Sequence, residues 1–282
     1  MRLLLACAAF GPERWAYGLG AWLGRLAYAL GIRRQVVAAN LRQAFPDQSE
    51  AERTALARAH YAHLGRSAVE FFRSASWSEA ELLGRVEPLE WNVFEKVWAE
   101  NRGCIVAVAH LGNFEVLAGY AARRHFPLTA VTRNLGGRFN RSWMEVRGRL
   151  GVRELRGRNV VRSMIEVLRA RGVLAVMVDQ NMLPKRAIFA PFFGRLAATT
   201  PAPFVLAERT GAPIVLAAML RRPDGRFNLH LRGPFAPDGD AAELMGRINA
   251  ELETLIRLAP EQWFWVHRRW KTRPPGEVAE AR

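Results

Sequence analysis

The stretch CIVAVAHLGNFEVLAGYAA, Cys104 to Ala122, decides how the chain is read. Ile105 to Ala109 is an unbroken apolar run, the pattern of a strand buried on both faces. Leu111-Gly112-Asn113 then bends the chain, and Glu115 to Arg124 has helical character. His110 therefore stands at the C-terminal end of a buried strand and Glu115 in the first turn of the next helix. On one unbroken helix the two would lie about 140° apart around the axis. A bend at Gly112-Asn113 lets them meet. Two readings stand. In the first, Glu115 fixes the tautomer of His110, and the other ring nitrogen takes a proton. In the second, His110 is a strand-end histidine and Glu115 a solvated acid favoured by the helix dipole. Open α/β sheets bind ligands at strand C-termini, which favours the first.

The flanking sequence alternates in the same way. Leu128 to Thr132 predicts a strand, Arg138 to Leu150 a basic helix, and Val160 to Arg171 another helix. Val173 to Val178 predicts a fully buried strand that ends at Asp179-Gln180. A helix from Pro201 to Thr210, a strand from Pro213 to Leu220 and a partner strand from Arg226 to Arg232 follow, the last two joined by a turn at Pro223-Asp224-Gly225. Asp240 to Leu258 predicts an amphipathic helix, and Trp263 to His267 a closing strand. Upstream, Ser49 with Glu52 and Ser78 with Glu81 fit capping boxes, the first opening a helix from Glu50 to Arg73. The whole predicts an α/β fold with a layered mixed sheet flanked by helices.

The chemistry narrows by what is missing. No Gly-x-Ser-x-Gly elbow occurs, and Cys104 sits in an apolar run with nothing to ionise it. Cys7 and Cys104, the only cysteines, lack metal-ligand spacing, and His60 with His63 has no third ligand nearby, so no metal is expected. A histidine–acid pair without a protein nucleophile suits direct transfer: the base deprotonates an acceptor hydroxyl, which attacks an activated acyl group. Backbone N–H groups at Gly112 and Asn113 are the candidates for holding the oxyanion.

The partners are read from charge and hydropathy. The net charge is +15, carried mostly by arginine, which suits an anionic membrane, an acidic protein or nucleic acid. No nucleic-acid recognition motif accompanies it. Residues 1–32 are apolar, aromatic and glycine-rich. Trp15 to Leu30 is about sixteen residues, short of the roughly twenty that span a bilayer. Trp15, Tyr17, Trp22 and Tyr28 favour the headgroup level, so an interfacial helix or a tilted anchor is expected, against the alternative of a plain buried helix. Gly20-x-x-x-Gly24 permits close helix packing. Arg33-Arg34 suggests that the remainder lies on the cytoplasmic side. Trp263, Trp265 and Trp270 among His267, Arg268, Arg269, Lys271 and Arg273 read either as a second set of interfacial anchors or as core. The chain divides into a membrane-associating segment, residues 1–32, a catalytic domain, 33–273, and a loose tail, 274–282.

HLGNFE is similar to the H-x4-D/E motif of membrane glycerolipid acyltransferases, and its Glu form resembles the late acyltransferases of lipid A biosynthesis. NLRQAFPDQSEAER, MVDQN, PFFGRLAATTPAPFVLAERTGAPIV and PEQWFWVHRRWKTRP resemble the same family, so the likeness covers most of the chain. It implies a glycerolipid acyltransferase-like fold and transfer of a fatty acyl chain from acyl carrier protein to a hydroxyl of a lipid A precursor. It also implies action at the cytoplasmic face of the inner membrane, without a cofactor. A rival keeps the chemistry but takes acyl-CoA and another membrane lipid. By position, Arg149 and Asp179 match a substrate-positioning pair, with Arg158 as the alternative arginine and Asp179 read as its orienting acid. Gln180-Asn181 departs from the longer polar run that many relatives carry there.

Overall fold

The computed structural model describes residues 11–132, 137–156 and 160–277. Its helices are α1 (Glu13–Ala29), α2 (Arg34–Ala44), α3 (Glu50–Ser74), α4 (Glu79–Gly84), α5 (Trp91–Ala99), α6 (Phe114–Arg123), α7 (Gly137–Arg149), α8 (Val160–Arg169), α9 (Ala202–Thr210) and α10 (Ala241–Leu258). Its strands are β1 (Val86–Pro88), β2 (Cys104–Gly112), β3 (Leu128–Val131), β4 (Arg153–Leu155), β5 (Val173–Met177), β6 (Ile188–Phe192), β7 (Arg195–Thr199), β8 (Ile214–Arg221) and β9 (Phe227–Phe235). Ser49 and Ser78 each close a reciprocal capping box with the glutamate three residues on, satisfying N–H groups that a helix start leaves without acceptors.

Seven strands form one mixed sheet in the order β1-β9-β8-β2-β5-β3-β4; only the β8–β9 hairpin is antiparallel. β2 is central, and its alternation sorts the core into two layers. Ile105, Ala107, Ala109 and Leu111 pack with α2, α8, α9 and α10 on one face. Val106 and Val108 pack with α5, α6 and α7 on the other. Both faces are covered, which is why this strand reads as a continuous apolar run.

Two expectations need correcting, and one hairpin comes in addition. Trp263 to His267 is not a strand: a 3-10 turn at Pro260–Gln262 leads into irregular chain that touches the sheet through one bridge, Leu111 to Trp263. Its tryptophans are not interfacial anchors, because Trp263, Trp265 and Trp270 are all buried, along with Arg269. The β6–β7 hairpin, with Phe193-Gly194 at its tip, stands apart from the main sheet, and its few short strands were not expected.

At the N-terminal end, no helix among the described residues is long and apolar enough to cross a membrane. Residues 1–10, with Cys7, lie outside the described residues. α1 is a helix as expected, and its small residues face α3. A Cβ on Gly24 would stand 1.9 Å from the Tyr61 carbonyl oxygen, and one on Gly65 would stand 1.9 Å from that of Gly20. Backbone thus meets backbone, which only glycine allows. The opposite side of α1 exposes Trp15, Trp22 and Leu26 at helical spacing.

Candidate active site

Strand parity and strand order build the site together. β2 and β5 run parallel in register from Cys104↔Val173 to Val108↔Met177. Continuing that register sets His110 abreast of Asp179 just beyond the strand ends. Both side chains fall on the parity that faces α6 and α7. The Nδ1 of His110 lies 2.8 Å from Oδ1 of Asp179, and the backbone N–H of His110 donates to Oδ2 at 2.8 Å. The indole of Trp263 adds a third donor to Oδ2 at 2.9 Å. Burial by itself would raise the pKa of Asp179. The charge of the His110 ring and these three donors overturn that and hold the carboxyl below the usual range. An ionised Asp179 only accepts, so in the neutral imidazole Nδ1 carries the proton and Nε2 presents its lone pair. Phe114 and Phe264 flank the ring, with centroids 4.8 and 5.5 Å away.

Asp179, not Glu115, is therefore the acid that meets His110. Glu115 makes no hydrogen bond to the histidine. It is buried in the first turn of α6 and turned towards α7, where it accepts from the Trp143 indole at 2.7 Å and from Arg147 Nε at 2.8 Å, with a second bond to the same guanidinium. Arg147 also reaches Glu154 at 3.0 Å, and Arg156 pairs with Glu154 in turn. Among the described residues Asp179 consequently orients no arginine. Arg149 is exposed and lies off the site, because two residues along a helix rotate the side chain by about 200°. Arg158 lies outside the described residues. Arg147 is the arginine sequence reasoning missed. Its signal was present: Trp143, Val146, Arg147 and Leu150 repeat at i, i+3, i+4 and i+7, the stripe that a helix turns inward.

The bend between His110 and Glu115 is locked from behind. Gly112 has φ of +62°, and a Cβ there would stand 1.8 Å from the Met219 carbonyl oxygen. The amide of Asn113 donates to that same oxygen at 2.9 Å, so it is spent on the sheet and not free for an oxyanion. The Asn113 side chain caps α6 by accepting from Val116 N, while its Nδ2 donates to Glu70 at 2.7 Å. Glu70 is fully buried and is ion-paired with Arg221. Gly112 remains an oxyanion candidate, beside the Phe114 and Glu115 N–H groups that the first helical turn leaves without an intrahelical acceptor.

His60 and His63 form the next layer on α3 and are buried. Nδ1 of His60 meets the Glu261 carbonyl at 3.1 Å, and the Ser67 hydroxyl lies 3.0 Å from Nε2 of His63. Burial pushes their pKa values down to about 4 and about 3, the His63 shift being reinforced by His60. Unfolded histidines take up a proton near 6.5. Between that pH and the folded values the unfolded chain binds more protons, so stability falls as pH falls. The slope approaches about 1.4 kcal/mol per histidine per pH unit. Urea midpoints measured from pH 7 to pH 5 should drop accordingly, and His63→Gln should flatten the profile.

A cavity of about 830 Å³ opens at His110. Its lining brings the polar groups His110, Glu115, Arg147 and Gln180 together with an apolar surface that includes Val106, Leu117, Ala121, Phe126, Leu128 and Leu231. Trp91 and Phe94 also line it. Such a site can seat a long hydrocarbon and present one end to a base. Cys104 stays a thiol, its pKa pushed by burial up to about 12, so it offers no nucleophile.

A family model described as bacterial lipid A biosynthesis acyltransferase matches residues 2–272. Similar proteins from Escherichia coli K12 include a lipid A biosynthesis lauroyltransferase, 29% identical over 266 residues that span 92% of this chain and 86% of the relative. A palmitoleoyltransferase is 30% identical with the same coverage, and a myristoyltransferase is 27% identical over 97% of this chain and 86% of its own length.

Proposed function

Because the chain belongs to the bacterial lipid A biosynthesis acyltransferase family, we propose that it transfers a fatty acyl chain from acyl carrier protein to a hydroxyl of a lipid A precursor. The observation that carries this reading is the His110–Asp179 dyad at the apolar cavity. The acyl chain lies in the cavity with its thioester carbonyl at His110. Nε2 takes the proton of the acceptor hydroxyl as its oxygen attacks the carbonyl carbon. Asp179 stabilises the imidazolium that forms. N–H groups at Gly112, Phe114 and Glu115 hold the developing oxyanion. The carbon–sulfur bond then breaks, and His110 returns the proton to the leaving thiolate.

Glu115 acts here through α7. Its bonds to Trp143 and Arg147 hold that helix against the cavity. The exposed Trp15, Trp22 and Leu26 on α1 and the net charge of +15 support work at an anionic membrane surface, the cytoplasmic face of the inner membrane.

The test is direct. Purified protein is incubated with acyl carrier protein thioester and a lipid A precursor, and the products are read by mass spectrometry. One added acyl group is expected, lost in His110→Ala. Transfer from acyl-CoA to another membrane lipid, with none from the carrier protein to the precursor, would overturn the assignment of donor and acceptor.

A further inference from the structure

We propose that Gln180 is the gate of the transfer reaction: its side-chain amide occupies the basic nitrogen of His110 until the acceptor hydroxyl displaces it, which suppresses hydrolysis of the acyl donor. The proposal rests on the acyl-transfer reading above. Nε2 of Gln180 lies 3.2 Å from Nε2 of His110. Since Asp179 holds the proton on Nδ1, the imidazole Nε2 is an acceptor, and only the N–H side of the amide satisfies it. The Gln180 Oε1 has no hydrogen-bond partner among the described residues. The lone pair that must take the substrate proton is thus already engaged, and Gln180 lines the cavity beside it.

The amide can move while its backbone cannot. Its neighbours are tied to the C-terminal segment: Asp179 to Trp263, and Asn181 to His267 and Thr272 through bonds of 2.8 to 3.0 Å. Burial pushes the pKa of His267 down to about 4, so its ring stays neutral and keeps accepting from the Asn181 amide. Gln180 therefore responds by rotating its side chain alone.

The consequence concerns which nucleophile is activated. Transfer moves the hydroxyl proton to His110, forms the ester bond and releases the thiol. With water in place of the hydroxyl, the same steps release a free fatty acid and the same thiol. Either nucleophile must first displace the Gln180 amide. A lipid hydroxyl brings the binding free energy of its own chain, whereas water brings none. Once displaced, the amide offers Oε1 and its N–H groups to polar atoms around the incoming hydroxyl.

The experiment compares the wild-type chain with Gln180→Ala and Gln180→Leu, using acyl carrier protein thioester in detergent, with and without the lipid A precursor. Fatty acid release and acyl transfer are measured separately. Losing one neutral hydrogen bond should raise the ratio of hydrolysis to transfer by about three- to tenfold in both variants. A ratio within about twofold of wild type in the folded variants would overturn the gate. If the wild-type chain transfers to no hydroxylated lipid, the functional reading fails instead. Acceptor-free hydrolysis, faster in the variants or not, then still decides the role of Gln180.

Discussion

Asp179→Asn is expected to lower turnover by about four orders of magnitude, the loss seen when the acid of a serine-protease triad is made an amide. Asp179 accepts from three donors, two of them on His110. An asparagine has one oxygen to offer. If that oxygen keeps the backbone N–H of His110 and the Trp263 indole, its NH2 faces Nδ1. The ring must then place its proton on Nε2, where it can no longer act as a base. If the amide flips, two N–H groups meet an NH2 inside the protein, at a cost of roughly 1–3 kcal/mol. Single-turnover acyl transfer measures the first effect, and thermal unfolding separates it from the second. Turnover within tenfold of wild type would show that His110 does not depend on this carboxylate. Glu115→Gln probes another link: it keeps the His110 tautomer and weakens only the hold on α7.

Gly24→Ala is expected to cost about 1–3 kcal/mol, the overpacking range, and to lower the melting temperature by roughly 2–12 °C. The new Cβ would lie 1.9 Å from the Tyr61 carbonyl oxygen, an atom of the α3 backbone that cannot rotate away. α1 and α3 must separate, which uncovers Ala16, Ala21 and Val69. Gly18 is the control on the same helix, with no atom within 4 Å of a built Cβ. Gly18→Ala should be neutral or stabilising by up to about 1 kcal/mol through helix propensity. If scanning calorimetry gave the two variants equal melting temperatures, the close crossing of α1 on α3 would be wrong. The crossing leaves Trp15 and Trp22 exposed on the outer side of α1.

Much of the molecule was legible from local pattern. The apolar run of β2 and the bend at Gly112-Asn113 follow from interactions within a few residues. So do the capping boxes at Ser49 and Ser78 and the glycine spacing in α1. Strand parity fixes which residues share a face within one strand, but that His110 and Asp179 share one depends on the register between β2 and β5. The two readings of the tryptophan-rich C-terminal segment could not be separated this way, since a buried indole and an interfacial one look alike in sequence.

By itself, then, the sequence determined most of the elements, the layered α/β class and the histidine at the end of the central strand. Tertiary structure alone decided which acid meets that histidine. Glu115 is five residues from His110 and Asp179 is sixty-nine, and proximity along the chain favoured the wrong partner. Strand order placed β5 beside β2, and the register between them brought Asp179 level with His110. A hydrogen bond depends on distance in space, and that distance was set by how the sheet was assembled.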